Sequence, residues 1–254
     1  MRGARTVGGF VVAALLLGAC GGDDDSTTSE TTSESTSETT AGESEGPDEP
    51  DAADQAAARD ALLTLTDLPE GWTQSAPEAD TGGDPLEEGD LPPDCGYLQG
   101  IDTIGTTTAE ETSNDFSAPD DAASASSEVT AWTEEAAADE AFASFSRAKT
   151  VECVEAAFTD LAVSEIADPT LEVGAVEATP VTIDLGDDAF GIKVSIEAVA
   201  DGTPITLLFE IDAARVGRSV STLTTFGIDQ EVDPDGALLA VLVERAAPFS
   251  ATAT

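Results

Sequence analysis

The hydrophobic positions are most regular near the C-terminal end of the chain. Phe190, Ile192, Val194, Ile196 and Ala198 alternate with Gly191, Lys193, Ser195 and Glu197, and after Asp201-Gly202 the alternation resumes at Ile205, Leu207, Phe209 and Ile211. A period of two on both sides of a Gly-containing turn predicts a β-hairpin with one buried face. Val216-Gly217-Arg218 turns the chain into a further strand from Ser219 to Phe226, and Leu171 to Leu185 supplies a strand before the hairpin. The result is an antiparallel meander of three or four strands.

Upstream the period changes. Asp51 to Leu65 is Ala-rich with Leu62, Leu63 and Leu65 toward its end, which predicts a short helix stopped by the turn Leu68-Pro69-Glu70-Gly71-Trp72. Trp72 opens an extended segment and reads as a core plug rather than a ligand platform. Thr73 to Pro93 is a loop rich in Gly, Pro and acid. Glu128 to Glu134 alternates as a strand, with Val129 and Ala131 on one face and Trp132 on the other. The helical segment after it carries two apolar stripes nearly opposite one another. Ala138, Phe142, Phe145, Cys153 and Ala156 form one; Val151, Val154, Phe158 and Leu161 form the other. Opposed stripes predict a helix kinked or split near Lys149-Thr150. Asp233 as cap and Pro234 at the first helical position predict a last helix that packs Ala237, Leu238, Val241 and Leu242 on the sheet. No internal repeat is present. The fold class is α+β: a central antiparallel β-meander packed against helices, as a single domain.

The first 50 residues follow other rules. Arg2 and Arg5 precede an apolar run from Val7 to Leu17, and Gly18-Ala19 place small residues before Cys20. This is the layout of an export signal, and a run of about a dozen residues falls short of the roughly 20 that span a bilayer. Leu17-Gly18-Ala19-Cys20 resembles the lipobox of bacterial lipoproteins. The resemblance implies that residues 1–19 are removed, that the Cys20 sulfur is diacylated, and that two or three acyl chains hold the protein to the membrane. Residues 20–50 are, after Cys20, mostly Asp, Ser, Thr, Glu and Gly, with no aromatic or large aliphatic residue and no Lys or Arg among them. Such a segment cannot bury enough apolar surface to order itself and reads as a disordered tether. At roughly 30 residues it has an r.m.s. span of about 30 Å, stretched further by its own charge. The folded domain is then 51–248, with 249–254 a frayed tail.

Charge and cysteine content narrow the functional classes. The 254 residues carry 52 Asp and Glu against 9 Lys and Arg, a formal net charge of -43. Phosphate recognition needs stripes of Lys and Arg that are missing, so nucleic acid is excluded as a partner. The acidity serves solubility in salty surroundings, or else attracts a cationic partner. Of the three cysteines, Cys20 is assigned to the lipid anchor, and in an oxidising exported compartment Cys95 and Cys153 read as a disulfide.

Ordinary catalytic equipment is missing as well. The chain has no His, which removes Ser-His and Cys-His pairs and His-based metal sites. No Gly-x-Ser-x-Gly elbow or phosphate loop occurs. Glu231, Asp233, Asp235 and Gly236 match the opening of a calcium loop, but its twelfth position is Leu242 where a bidentate Glu is required. Helix capping accounts for these acids better. Arg215 and Arg218 flank a turn, where they hold an anionic group or balance neighbouring acids. The expectations are no catalytic residues, no metal site and no cofactor, with the ligand-binding residues unassigned.

The lipobox and acidic tether, the Leu68-Pro69-Glu70-Gly71-Trp72 turn, the strand and helix leading to Cys153, and the meander through Arg215-Val216-Gly217-Arg218 resemble actinobacterial cell-envelope lipoproteins. Among these the chain is similar, over residues 56–246, to the extracellular sensor domain of PknH-like receptor kinases and to LpqN-type lipoproteins. That resemblance implies a non-catalytic α+β domain in a sensing or accessory role, anchored on the extracytoplasmic face. Its partner would be a small apolar or amphipathic ligand or another envelope protein. The sensor family holds two disulfides where this domain can form one. The alternative is a structural or interaction protein whose acidic surface engages basic partners.

Overall fold

A computed structural model of the chain describes residues 51–76, 92–164 and 171–250. Cys20, the tether and most of the 73–93 loop lie outside the described residues. The elements in order are helix α1 (Ala52–Ala61), strands β1 (Thr73–Ser75), β2 (Thr107–Thr112), β3 (Asp115–Ser117) and β4 (Ala123–Trp132), helices α2 (Glu135–Phe145) and α3 (Ala148–Ser164), strands β5 (Leu171–Val181), β6 (Asp188–Ala200), β7 (Thr203–Val216) and β8 (Ser219–Ile228), and helix α4 (Ala237–Arg245). The eight strands form one antiparallel sheet in the order β1-β3-β4-β8-β7-β6-β5, with β2 also pairing β4. The fold is α+β and a single domain, and the meander β5 to β8 forms one side of its sheet, from the edge strand β5 to β8 beside β4.

The hairpin predicted from alternation is present and in register, with Ile192 opposite Ile211 and Val194 opposite Phe209. Asp201 and Gly202 both have positive φ, 50° and 81°, which gives the two-residue turn the twist its flanking strands need. Because successive side chains alternate, even-numbered β6 residues point to one face of the sheet and odd-numbered ones to the other. On the even face Ile192, Val194 and Ile196 pack with Phe209 and Ile211 against Phe142, Phe145 and Phe158 of α2 and α3. Burying each of these large side chains contributes about 1.5–3 kcal/mol. On the opposite face Ala214 and Leu223 meet Leu238, Leu239 and Leu242 of α4. Val129 and Ala131 of β4 meet Ala58 and Ala61 of α1.

The segment after β4 splits into two helices, as the opposed stripes require, but at Ser146-Arg147 rather than at Lys149-Thr150. Breaking there lets Phe142 and Phe145 from one piece and Val154 and Phe158 from the other reach the same apolar layer. Cys95 and Cys153 are joined in a disulfide, tying the turn before β2 to α3.

Three further boundaries differ from the sequence reading. The last helix begins at Ala237, not at Pro234. Residues 233–236 close a turn, Gly236 N–H donating to the Asp233 carbonyl at 3.1 Å, and Gly236 has φ +67°, outside the helical region. Asp233 still caps: its carboxylate accepts the Ala237, Leu238 and Leu239 amides at 2.8, 2.9 and 3.3 Å. The ordered chain also runs past residue 248. Phe249 is buried at 2% exposure, under the Arg218 guanidinium, and its carbonyl accepts the Arg218 amide at 3.3 Å. α1 ends at Ala61, before the predicted Leu65, because the non-helical Leu62 gives its carbonyl to Arg245 and Leu63 gives its amide to Ser127.

Candidate functional site

The chain turns from β7 to β8 at Gly217, whose φ of +55° suits glycine and where a Cβ would strike the Phe249 carbonyl. Arg215 and Arg218 flank this turn, and both are committed to carboxylates. The Arg215 guanidinium lies 2.8 Å from Asp139 and from Asp188, 3.4 Å from Glu135 and 3.6 Å from Asp187. Burial works against its charge, yet the Asp188 hydrogen bond and the surrounding carboxylates hold its pKa above the ordinary arginine value. Arg218 donates to both Asp54 oxygens, at 2.7 and 2.5 Å, and to the Trp132 carbonyl at 2.9 Å. That hydrogen bond is the main reason the Asp54 carboxyl titrates below the usual range. The two arginines balance neighbouring acids, the second of the readings offered by the sequence, and Arg218 joins α1 to β4. Arg245 does the same for Asp67, with contacts of 2.7 and 2.8 Å.

Ten ångströms or so along β7, by the ordinary rise of a strand, the charges are arranged differently. Asp212 is 5% exposed and faces Gly191 across the hairpin. A Cβ on Gly191 would collide with the Asp212 carboxylate, and Ile183 and Val181 close the space from outside. The Asp212 Oδ1 has no hydrogen-bond partner among the described residues. Burial, then the nearby charges of Glu210 and Asp233, push its carboxyl up to about 8. Glu210 is also raised, chiefly by burial. Asp212 is thus a neutral acid at pH 7. It has no route to a substrate, because side chains of its own fold cover it.

Two recesses bear on binding. The first is bordered by Trp132, Phe142 and Phe145, the type of residue that would line an apolar chamber, but its volume is about 30 Å³. That is the space of a single water. Trp72 is half-buried against the α4 layer and fills space there, as expected of a core plug. The second recess, about 460 Å³, is an open groove where β5, β6 and β7 end together, within the usual size range of small-ligand sites. Its lining includes Glu172, Glu197 and Asp229 with Val199 and Pro204. Among the described residues no three His, Cys, Asp or Glu converge in a way that holds a metal ion. Glu231 of the failed calcium loop is paired with Lys193.

Neither Asp212 nor the groove was assigned from sequence. Asp212 sits at a polar step of an alternating strand and looks solvent-facing. The opposing Gly191 was the available signal, since glycine inside a strand marks a close approach. The groove had a similar sign in Gly174 of β5.

No protein-family model and no curated protein matches the sequence. Two solved structures from Mycobacterium tuberculosis are similar in fold. One is the extracellular domain of PknH, at 12% identity over 78% of this chain and 97% of that one, with a TM-score of 0.44. The other is LpqN, involved in cell envelope biogenesis, at 10% identity over 69% of this chain and 76% of that one, with a TM-score of 0.28.

Proposed function

We propose that this protein is a lipid-anchored, extracytoplasmic binding protein without catalytic activity, which holds a protein partner on the surface of its domain. Cys20 and the residues before it support the anchor, and the acidic tether supplies reach from the membrane. The absence of His from the chain supports a non-catalytic role, since no imidazole is available as base or metal ligand, and Asp212, whose carboxyl is raised, is buried away from any substrate. The observation that carries surface binding is the closed interior. The aromatic recess at Trp132 holds about 30 Å³, whereas the 460 Å³ groove opens to solvent. An enclosed apolar ligand finds no chamber among the described residues.

Native mass spectrometry of the full chain, extracted in detergent from the membranes of its own host, tests this reading. The expected species is the chain from Cys20 with its acyl groups and no further small molecule, and cross-linking in intact envelopes should capture a protein on the folded domain. A stoichiometric small molecule released on denaturation overturns surface partner binding. A chain without acyl groups overturns the anchor.

A further inference from the structure

We propose that the groove at the end of β5, β6 and β7 docks a basic segment of an envelope protein, seating Lys or Arg side chains. The proposal rests on the surface-binding reading above and gives it a place and a chemistry. A β-bulge between Val173 and Val176 interrupts the pairing of β5 with β6. Within it Gly174 lies against Glu197, so close that a Cβ would stand 3.1 Å from the Glu197 carbonyl. Strand alternation places Glu197 and Val199 of β6 on one face, and pairing adds Pro204 and Thr206 of β7 and Glu172 of β5 to it.

The charge of the groove is of one sign. Glu172, Glu197 and Asp229 are exposed and are its only charged lining residues among those described. Asp229 is fixed at the rim, its carboxylate accepting the Thr206 amide at 2.7 Å. No described residue forms an ion pair with Glu172 or Glu197, and Lys193, on the same face of β6, is taken by Glu231. Val199 and Pro204 lie beside these carboxylates on the same face, which suits a side chain with an aliphatic stem and a cationic head, as in Lys and Arg. An anion is repelled, and a purely apolar guest would strip water from carboxylates without replacing it. Because the groove is open, a chain can enter and leave it.

The test uses the full mature chain, ¹⁵N-labelled and in detergent, titrated at about 0.15 M salt, where charges beyond about 8 Å are screened. The probe is the pentapeptide acetyl-Lys-Val-Lys-Val-Lys-amide. Amide shifts are expected at Gly174, Glu197, Val199 and Thr206. The double variant Glu172→Gln/Glu197→Gln should bind roughly tenfold more weakly, the equivalent of about 0.7 kcal/mol for each exposed ion pair lost. A control, Glu140→Gln/Asp235→Asn, removes the same charge elsewhere and should bind like the parent. Shifts spread along residues 21–50, with both variants weakened alike, would mean charge attraction alone and overturn the groove. Spermidine binding at the same place as tightly as the peptide would overturn a protein partner there in favour of a polyamine. If the groove fails while envelope cross-links map elsewhere on the domain, surface binding stands and only this location is lost. A small molecule retained in the native mass spectrum defeats the broader reading whatever the peptide does.

Discussion

β7 begins and ends in opposite electrostatic surroundings. Its last residues lead into the turn where Arg215 faces Glu135, Asp139, Asp187 and Asp188 and where Arg218 grips Asp54. Its first residues, Pro204 to Thr206, line a groove whose charged groups, among the described residues, are all carboxylates. Between them Asp212 is buried with no cation beside it. The formal charge of -43 is therefore not a uniform coat. The few arginines are spent where separate elements must be joined, and that leaves carboxylates at the other end uncompensated and available. The binding proposed above draws on the uncompensated end, and stability depends on the compensated one.

Removing Arg218 should have the largest effect. Arg218→Met leaves Asp54, whose side chain is only 13% exposed, as a largely buried charge without its partner, which costs about 3 kcal/mol or more. Urea unfolding measures this, and adding Asp54→Leu should recover much of the loss. The sign with pH is fixed by Asp54, whose pKa is lowered in the fold. Its contribution is present above the unfolded carboxyl pKa and is lost as pH falls through the folded one. The gap between parent and variant should close in acid; a gap unchanged at low pH would place the stability elsewhere.

Asp212 should respond in the opposite direction. Its carboxyl is raised from 3.8 to about 8, so between those values the folded state holds a proton that the unfolded state has released. Stability from this residue is greatest below about pH 4, falls as pH rises, and levels off above about 8. Asp212→Asn keeps the shape of the neutral acid and removes the titration. It should stabilise by about 2–4 kcal/mol at pH 7 and by little at pH 4, read as the difference between parent and variant unfolding curves. Equal effects at both pH values would mean that Asp212 is not held neutral.

How much of this was legible in the sequence depends on what each element offered. β6, β7 and β8 alternate large aliphatics with polar residues, and their strands and turns follow from that alone. β2 has one buried residue, Ala109, in the run Thr107–Thr112, and the first half of β4 is Ala and Ser. Such strands give no hydrophobic signal and are held by long-range pairing, so a meander of three or four strands became a sheet of eight. Arg215 and Arg218 were visible as rare cations, and their partners Asp54 and Asp139 were not, being far away in sequence. Asp212 looked like an ordinary polar step because what buries it is tertiary packing. The groove depends on a bulge that shifts register, and register is set by pairing rather than by composition.

Arg215→Met is expected to cost less than Arg218→Met, about 1–2 kcal/mol. The carboxylates it serves are between 51 and 59% exposed, so water takes over their solvation once the guanidinium is gone. What remains is mutual repulsion among them, which salt screens. Unfolding in 1 M salt should narrow the difference from the parent, while the Arg218→Met difference, at a pair largely shielded from solvent, should mostly persist. Equal salt sensitivity would erase the distinction between the two arginines.

The smallest effect belongs to the groove. Glu172→Gln/Glu197→Gln touches exposed side chains with no ion-pair partner among the described residues, so unfolding free energy should change by less than about 0.5 kcal/mol. Any shift should be toward greater stability, because two negative charges leave a strongly acidic surface. A loss above about 1 kcal/mol, outside the range of partnerless surface changes, would show that these carboxylates hold the fold together as the arginine partners do. The contrast between the two ends of β7 would then collapse. A neutral result paired with weakened peptide binding is the pattern expected of residues kept for a partner rather than for the fold.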